Sequence, residues 1–280
     1  MPDNAAGTTP GTAIAKLAGN LEAIRDRSPL IHNITNLVVT NITANALLAL
    51  GASPAMVENT EESADLARVA NALVINLGTI SGEMAAAMRL AAQAAHQAKT
   101  PWVMDPVAVG ALAYRSRVAR ELLASKPDVI RGNGSEITAL AAQAGLVQPA
   151  AGGKGVDSLL QSEAALEAAK ALAAAQNGVV VVSGAVDYVT DGARVTGIAN
   201  GHPIMTRVTG MGCTATALIG AFLAVEKDAF AAAVQAMAVM GVAGEMAVEM
   251  AGGPGSFQVA FLDVLYALEA PAILEKARLS

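Results

Sequence analysis

The stretch ALVINLGTISGEMAAAMRLAAQAAHQAKTPWVMDPV, residues 72–107, decides the fold class. It begins and ends with short apolar runs, residues 72–78 and 101–107, and an alanine-rich segment of helical length, residues 83–98, lies between them. Two nearly continuous apolar runs joined by a helix are typical of parallel strands, because parallel pairing needs a long crossover connection. The stretch therefore predicts a βαβ unit.

The same alternation continues on both sides of that stretch. Further β-prone runs are ASPAMV, DVIRGN and GVVVVSG, and alanine-rich segments occupy residues 118–124 and 158–176. After GVVVVSG, the short runs DYVTDG, ARVTGIAN and HPIMTRVTG are separated by Asp-Gly and Asn-Gly pairs, which favour hairpins. From Met211 onward the pattern is helical, with a break at GGPGSF. We expect an α/β fold whose mostly parallel central sheet ends in antiparallel strands and carries helices on both faces.

The chain shows no internal boundary. No linker or repeat period divides its 280 residues, so we expect a single domain over residues 1–280. Residues 1–10 are expected to form a flexible tail, and the glycine-rich AAGGKGVDS, residues 150–158, a flexible surface loop. Hydrophobic residues make up 54% of the chain and aromatic residues only 3%, so the expected core is aliphatic.

Charge and hydropathy exclude several classes of partner. A formal net charge of -6 without a local basic cluster predicts no nucleic-acid partner. The first residues lack the basic start and apolar core of a secretory signal, and one cysteine cannot form an internal disulfide, so a cytoplasmic location is expected. The most apolar region, residues 215–244, is interrupted by Glu226, Lys227, Asp228 and Gln235. It predicts two buried helices and no membrane span.

Polar residues follow two predicted strands. VMDPV places Asp105 after one strand, and VIRGNGSEI places Arg131, Asn133 and Glu136 after the next. Ligands of parallel sheets bind beyond the carboxyl ends of the strands, where carboxylates suit Mg²⁺ and an arginine suits a phosphate. The alternative is structural, with Asn133 as the cap of the following helix and Asp105 as a turn residue.

The segment VTGMGC, residues 208–213, predicts a phosphate-binding helix start. Gly210 and Gly212 permit close approach of the backbone, while the free N–H groups and the dipole of a helix N-terminus favour an anion. The amides of Gly210, Met211, Gly212 and Cys213 form the predicted anion hole. A P-loop is excluded, because GGKGVDS lacks the serine or threonine that should follow Lys154.

Cys213, the only cysteine, has three possible roles at this helix start: base, nucleophile or filler. A helix N-terminus lowers a thiol pKa, which favours partial thiolate, whereas free cysteines also pack as small buried hydrophobes. A cysteine-nucleophile hydrolase needs a histidine. His32 and His202 are predicted in loops and stay candidates, and His96 is predicted on the surface of an alanine-rich helix.

Eight segments of the chain, from Pro29 to Leu268 and in the same order, resemble the hydroxyethylthiazole kinase family of the ribokinase-like superfamily. They are PLIHNITNLVVTNITANALLALGASPAMVEN, VINLGTI, MDPVAVGA, VIRGNGSEI, GKGVDS, SGAVDYVTDG, VTGMGC and GPGSFQVAFLD. The resemblance implies the three-layer ribokinase-like fold. It also implies Mg²⁺-dependent transfer of the ATP γ-phosphate to the hydroxyl of 4-methyl-5-(2-hydroxyethyl)thiazole, in thiamine biosynthesis or salvage.

The resemblance also implies roles for single residues. Met56 and Gly210 would contact the thiazole alcohol, and Arg131 and Ser183 would bind ATP. Family enzymes are homotrimers with active sites between subunits, so HNITNLVVTNITAN and Met56 are expected to serve a neighbour's site.

Three further positions follow the superfamily pattern or depart from it. Asn133 and Glu136 match its Asn-x-x-Glu element near metal and phosphate, and Asp105 would be their companion. Cys213 stands where most ribokinase-like enzymes have the aspartate that takes the proton of the alcohol. Met211 replaces the family's usual threonine, and this change is tolerable if the amide rather than the side chain holds the phosphate.

Three alternatives stay open at this point. Another ribokinase-like small-alcohol kinase, or an ATP-dependent dehydratase acting on damaged nicotinamide cofactors, would normally carry aspartate at the position of Cys213. A cysteine hydrolase would need no ATP. The carboxylates of Asp105 and Glu136 argue against a noncatalytic metabolite-binding protein.

Overall fold

The computed structural model describes residues 14–148 and 158–280, and within them eight strands form one sheet in the order β2-β1-β3-β4-β5-β6-β7-β8. The first six strands in that order pair in parallel, whereas β7 and β8 pair antiparallel. The strands are β1 (Leu30–Ile34), β2 (Ser53–Met56), β3 (Ala72–Asn76), β4 (Trp102–Asp105), β5 (Val129–Asn133), β6 (Val179–Ser183), β7 (Asp187–Thr190) and β8 (Val195–Ile198).

Helices connect the parallel strands and continue after the sheet is complete. Two short 3₁₀ helices, Leu123–Ser125 and Pro203–Arg207, supplement them in the described residues. The α-helices are α1 (Leu17–Arg27), α2 (Thr40–Leu50), α3 (Ser63–Val69), α4 (Gly82–Ala98), α5 (Ala113–Leu122), α6 (Gly134–Gln143), α7 (Ser158–Gln176), α8 (Met211–Leu223), α9 (Ala229–Glu249), α10 (Pro254–Ala267) and α11 (Ala270–Lys276).

The sheet is covered on both faces because successive residues of a strand point to opposite sides. In β3, Val74 packs into the apolar cluster that α8, α9 and α10 contribute to, whereas Leu73 and Ile75 pack into the cluster that α4 to α7 contribute to. All five residues of this strand are buried, as a strand between two helical layers requires. The α/β prediction with helices on both faces is confirmed.

Helix α9 is long and apolar enough to cross a membrane, and α10 with α11 passes the same test as a pair bent by 115°. Within α9, however, 83% of the most apolar window is buried inside the fold. Its residues pack around the core that covers one face of the sheet. We therefore assign α9 to the interior of the protein, as the interrupted pattern of residues 215–244 predicts.

The structure corrects two local predictions and leaves two outside its range. HPIMTRVTG is not a strand: Pro203 starts a 3₁₀ helix, and the ring of His202 accepts the N–H of Ile204 at 3.2 Å. The segment Leu30–Ile34, which the strand prediction omits, is β1, which lies between the edge strand β2 and β3. The expected tail and the expected loop around residues 150–158 lie outside the described residues, apart from Ser158 at the start of α7.

Candidate active site

Helix α8 begins with an open N-terminal turn beside β4 and β5. Its N-cap, Gly210, has φ +89°, and a Cβ there would lie 2.8 Å from Val39 Cγ1, so only glycine fits without strain. The N–H of Thr214 donates to the Gly210 carbonyl at 2.8 Å and is the first to find an acceptor within the helix. The preceding amides, from Met211 to Cys213, have no acceptor within the helix and form its positive end.

Arg131, in β5, lies against this helix end. A Cβ at Gly212 would lie 2.6 Å from Arg131 Nη1, so the glycine permits the close approach of the guanidinium. Nη1 is 3.9 Å from Asp105 Oδ2, which is beyond hydrogen-bond distance, and the buried Nε has no hydrogen-bond partner among the described residues. The guanidinium therefore keeps donors for an anion at the place where the open amides also point.

A buried hydrogen-bond chain of five side chains, Thr216, Asp105, Asn76, Asn36 and Cys213, runs below this turn. Asp105 Oδ2 accepts from Thr216 Oγ1 at 2.8 Å and from Asn76 Nδ2 at 2.9 Å. Asn76 Oδ1 accepts from Asn36 Nδ2 at 2.8 Å, and Asn36 Nδ2 also donates to Cys213 Sγ at 3.5 Å. The chain connects the end of β4 to the first turn of α8 and holds each polar group in one orientation.

Two carboxylates near Arg131 have raised pKa values. Burial raises the pKa of Asp105 to about 6; the charge of Arg131 and the hydrogen bond from Thr216 lower it, and the charge of Glu136 raises it. Burial also raises the pKa of Asp187 to about 6, although the N–H of Gly184 and the charge of Arg131 act against this. Charged groups of both signs thus gather at the carboxyl ends of β4 and β5, where ligands of such sheets bind.

The sequence model of the Hydroxyethylthiazole kinase family matches residues 21–271 of the chain. The chain belongs to the hydroxyethylthiazole kinase family. A hydroxyethylthiazole kinase of Granulibacter bethesdensis is 62% identical to it over 258 residues, which are 92% of this chain and 92% of that protein. The resemblance that the eight sequence segments indicate is therefore confirmed.

Solved structures agree with this family and with its fold. The structure of a hydroxyethylthiazole kinase from Pyrococcus horikoshii OT3 superposes with a TM-score of 0.87 at 41% identity and covers 95% of this chain and 98% of its own. A ribokinase-like superfamily protein from Enterococcus faecalis superposes with a TM-score of 0.61 at 13% identity, over 91% of this chain and 90% of its own. At that identity the likeness shows the fold alone, and it confirms the prediction of a ribokinase-like fold.

In this member of the kinase family, Cys213 is a neutral thiol. Burial raises its pKa to about 11, the charge of Asp105 raises it further, and the hydrogen bonds from Asn76 and Asn36 and the charge of Arg131 lower it. Of the two interpretations that the sequence leaves open, partial thiolate and small buried side chain, the raised pKa supports the second. Desolvation and a neighbouring carboxylate both disfavour a charged sulfur.

The three histidines do not form a Cys–His hydrolytic pair with Cys213 in this structure. His32 is not in a loop but in β1, where its buried Nε2 donates to the Val57 carbonyl at 2.7 Å, and burial lowers its pKa. His202 is exposed at the 3₁₀ turn, and His96 is exposed on α4, as predicted. The hydrogen bonds described for Cys213 come from amide side chains instead.

Asn133 and Glu136 form a capping box at the start of α6. Asn133 Oδ1 accepts the Glu136 N–H at 3.0 Å, Glu136 Oε2 accepts the Asn133 N–H at 2.9 Å, and Glu136 Oε1 accepts the Ala108 N–H at 2.8 Å. The structural interpretation of these two residues therefore holds, and their role at a metal stays a prediction.

The carboxylates present suit Mg²⁺ only together with a nucleotide. No cluster of three or more His, Cys, Asp or Glu able to hold a metal occurs among residues 14–148 and 158–280. Asp105 and Glu136 are close enough for the charge of one to raise the pKa of the other. Mg²⁺ is commonly bound by one or two carboxylates plus substrate phosphates, so this donor set fits Mg²⁺ bound with ATP.

The remaining predicted residues occupy different parts of the site. Ser183 pairs with Asn133 across β5 and β6, and its hydroxyl donates to the Gly132 carbonyl at 3.2 Å. The side chain of Met211 is buried in the core, so its backbone amide is the group left to act as a donor at the helix start. Met56 ends the edge strand β2.

Met56 is the one predicted site residue that the fold places apart. Strands β1 and β3 lie between β2 and β4, which puts the axes of β2 and β4 about 14 Å apart at the usual strand spacing. The register pairs Met56 with Asn33 of β1 rather than with any residue of the cluster around Arg131. The structure thus brings Asp105, Arg131, Ser183 and the α8 turn together, but not Met56.

Three residues of the buried hydrogen-bond chain escape the sequence prediction: Asn36, Asn76 and Thr216. Asn76 carries a usable signal, because it is the polar end of a fully buried strand, as Asp105 is. Thr216 follows Gly212 by one helical turn, which places its hydroxyl behind the glycine turn. Asn36 has no comparable signal, since it lies in a turn after β1.

Proposed function

We propose that this chain transfers the γ-phosphate of ATP to the hydroxyl of 4-methyl-5-(2-hydroxyethyl)thiazole in the cytoplasm, for thiamine biosynthesis or salvage. The family to which it belongs supports the reaction. The observation that carries the proposal is the convergence of the Arg131 guanidinium and the open amides of α8 at one point beside buried Asp105. A guanidinium and helix amides aimed at one place form a site for a transferring phosphate.

Positioning of the reactants and stabilisation of the charge on the phosphate account for the mechanism. The transferring group carries its charge on the outer phosphate oxygens, and little covalent work remains for the protein. The amides of Met211, Gly212 and Cys213, together with Arg131, hold that charge. Since the alcohol proton leaves late in a loose transition state, the neutral thiol of Cys213 orients the hydroxyl without having to remove its proton.

Asp105 and Glu136 would hold Mg²⁺ together with the ATP phosphates, and Asn133 lies next to them in the capping box. When bound, the ion supplies charge neutralisation on the β- and γ-phosphates. Ser183 ends β6, which pairs with the strand that carries Arg131, so both residues reach the same nucleotide.

We infer that the protein acts as a homotrimer with its sites between subunits. Leu37 and Val38, directly after Asn36, are 67% and 61% exposed. Tyr266 is 77% exposed on α10, which packs against α2. Large exposed apolar side chains favour an interface. The position of Met56 at the end of the edge strand β2 favours a role for it in a neighbour's site.

A coupled ATP assay over a panel of thiazole and pyrimidine alcohols, with and without Mg²⁺, tests the proposed reaction. The thiazole alcohol is expected to be the preferred acceptor, and turnover is expected to require Mg²⁺. Arg131→Ala should lower kcat by about 100-fold, the usual cost of removing one charge-stabilising donor, and Glu136→Ala should also lose transfer. The exposed Arg27→Ala serves as the control and should keep full activity. Full activity of both site variants would refute the proposal.

A further inference from the structure

Thr216 forms a hydrogen bond to Asp105, a central residue of the site, but its own side chain is not exposed to the site. Its side chain is fully buried in α8, so it touches neither ATP nor the alcohol. Its hydroxyl donates to Asp105 Oδ2 at 2.8 Å, and the other acceptor in reach, the Gly212 carbonyl, is more distant at 3.3 Å. Any effect of Thr216 on the reaction must therefore pass through Asp105, its closer partner, or through the Gly212 carbonyl.

The hydrogen bonds of Asp105 come from uncharged donors although a cation is close. Oδ2 accepts from Thr216 and Asn76 at 2.8 and 2.9 Å, whereas Arg131 Nη1 stays 3.9 Å away. A buried carboxylate that loses a donor is strongly attracted to the nearest cation. The two neutral donors thus satisfy Asp105 and leave Arg131 beside the open amides of α8.

We propose that Thr216 is a positioning residue for phosphoryl transfer: its hydroxyl holds the Asp105 carboxylate and thereby keeps Arg131 from forming a direct hydrogen bond to it and leaves the guanidinium beside the helix end. This inference rests on the roles of Asp105 and Arg131 in the proposed function. It adds a residue that contacts no substrate and that acts on the geometry of Asp105 and Arg131.

Thr214 provides a matched comparison in the same helix. It lies two residues before Thr216, it is also fully buried, and its hydroxyl has no hydrogen-bond partner in the described part of the chain. Removing the hydroxyl of Thr214 therefore changes the same kind of residue without touching Asp105. The difference between the two threonines isolates the hydrogen bonds of the Thr216 hydroxyl, of which the one to the Asp105 carboxylate is the shorter.

The test compares Thr216→Val, Thr216→Ser and Thr214→Val in the full-length enzyme. Thr216→Val is expected to lower kcat by about tenfold or more, as the loss of a supporting hydrogen bond to an active-site carboxylate commonly does. KM for the thiazole alcohol should differ from the wild-type value by less than about twofold, because the substitution removes no contact that binds the substrate equally in the ground state and the transition state. Thr216→Ser should restore kcat, and Thr214→Val should keep it. A crystal structure of Thr216→Val should show Arg131 within hydrogen-bond distance of Asp105 rather than 3.9 Å away.

Wild-type kcat in Thr216→Val, an equal loss in Thr214→Val, or no rescue by Thr216→Ser would overturn the inference. Asp105→Asn and Arg131→Ala separate this failure from that of the proposed function. If those two variants are inactive while Thr216→Val is fully active, only the positioning role is wrong; if they are fully active, the roles on which it rests are wrong. Should Thr216→Val not fold, Thr216→Ala against Thr214→Ala makes the same comparison.

Discussion

Cys213 lies where a negative charge is costly. Its sulfur accepts a hydrogen bond from Asn36, but burial and the charge of Asp105 raise its pKa to about 11. At neutral pH the side chain is therefore a thiol, which accepts protons poorly. The physical role left to it is to fill and shape the place where the reacting hydroxyl sits, beside the amide donors of its own helix.

Cys213→Ala is accordingly expected to lower kcat by less than about tenfold, whereas removal of an essential general base costs about 100- to 10,000-fold. The pH dependence of kcat between pH 7 and pH 9 should be the same in the variant, because a thiol with a pKa of about 11 does not titrate there. Steady-state kinetics over that range measure both quantities. Cys213→Asp is the companion variant: a large loss in alanine that aspartate restores would assign the base role to this position after all.

At the scale of the element, the N-terminal turn of α8 depends on small residues. Gly210 supplies the left-handed backbone that starts the helix, and Gly212 supplies the space for Arg131. The body of the helix is buried on nearly every side, so the turn cannot shift to relieve a clash. A helix held so firmly fixes the direction of its free amides.

Gly212→Ala should displace the Arg131 guanidinium, because the new Cβ would lie 2.6 Å from Nη1. We expect a loss in kcat of about 100-fold, typical of a misplacement of about 1 Å in a reacting site, with the folded structure retained. Assays of kcat and circular dichroism measure the two parts. Gly82→Ala, in the first turn of α4 and with nothing within 4 Å of its new Cβ, is the control and should be fully active. An active Gly212→Ala would show that the position of Arg131 is not critical.

At the scale of the whole molecule, one sheet brings residues from distant parts of the chain to a single edge. Asn36, Asn76 and Asp105 follow or end three different strands, Arg131 lies within a fourth, and α8 closes the set from one face. The same arrangement leaves Met56 at the end of the outer strand β2. In the proposed trimer, the site would therefore be internal to the chain at its phosphate end and would face a neighbour at its other end.

Leu37→Glu tests the proposed trimer. Because Leu37 is 67% exposed in the single chain, the substitution should not unfold the subunit, but a charge at an apolar interface should shift the assembly toward monomers. Analytical ultracentrifugation measures the mass. The control is Leu90→Glu, on α4 in the opposite helical layer, where the side chain is 41% exposed and the mass should not change. A wild-type protein that sediments as a monomer at all concentrations would contradict the trimer directly.

The parts of the site that were predictable are those with a local cause. Asp105 could be located from the sequence because it ends a predicted strand, and Arg131 because it is the cation of the next predicted strand, although the structure places it within β5 rather than after it. The glycine turn marks the start of α8. His32 was misplaced in a loop, because LIHNI contains polar residues that the fold buries in β1. The pKa of Cys213 could not be decided from the sequence, because the main cause of its shift is burial by the folded chain.

The sequence by itself determined the βαβ order, the layered fold, the helix start at VTGMGC and the kinase family, because periodicity, turn residues and ordered motifs are local properties of the chain. Only the tertiary structure decided that Thr216 bonds Asp105, that Arg131 lies against Gly212, and that Cys213 stays protonated. These facts depend on distances between residues far apart in the chain, 111 positions for Thr216 and Asp105, and on the exclusion of water around them, which no short segment encodes.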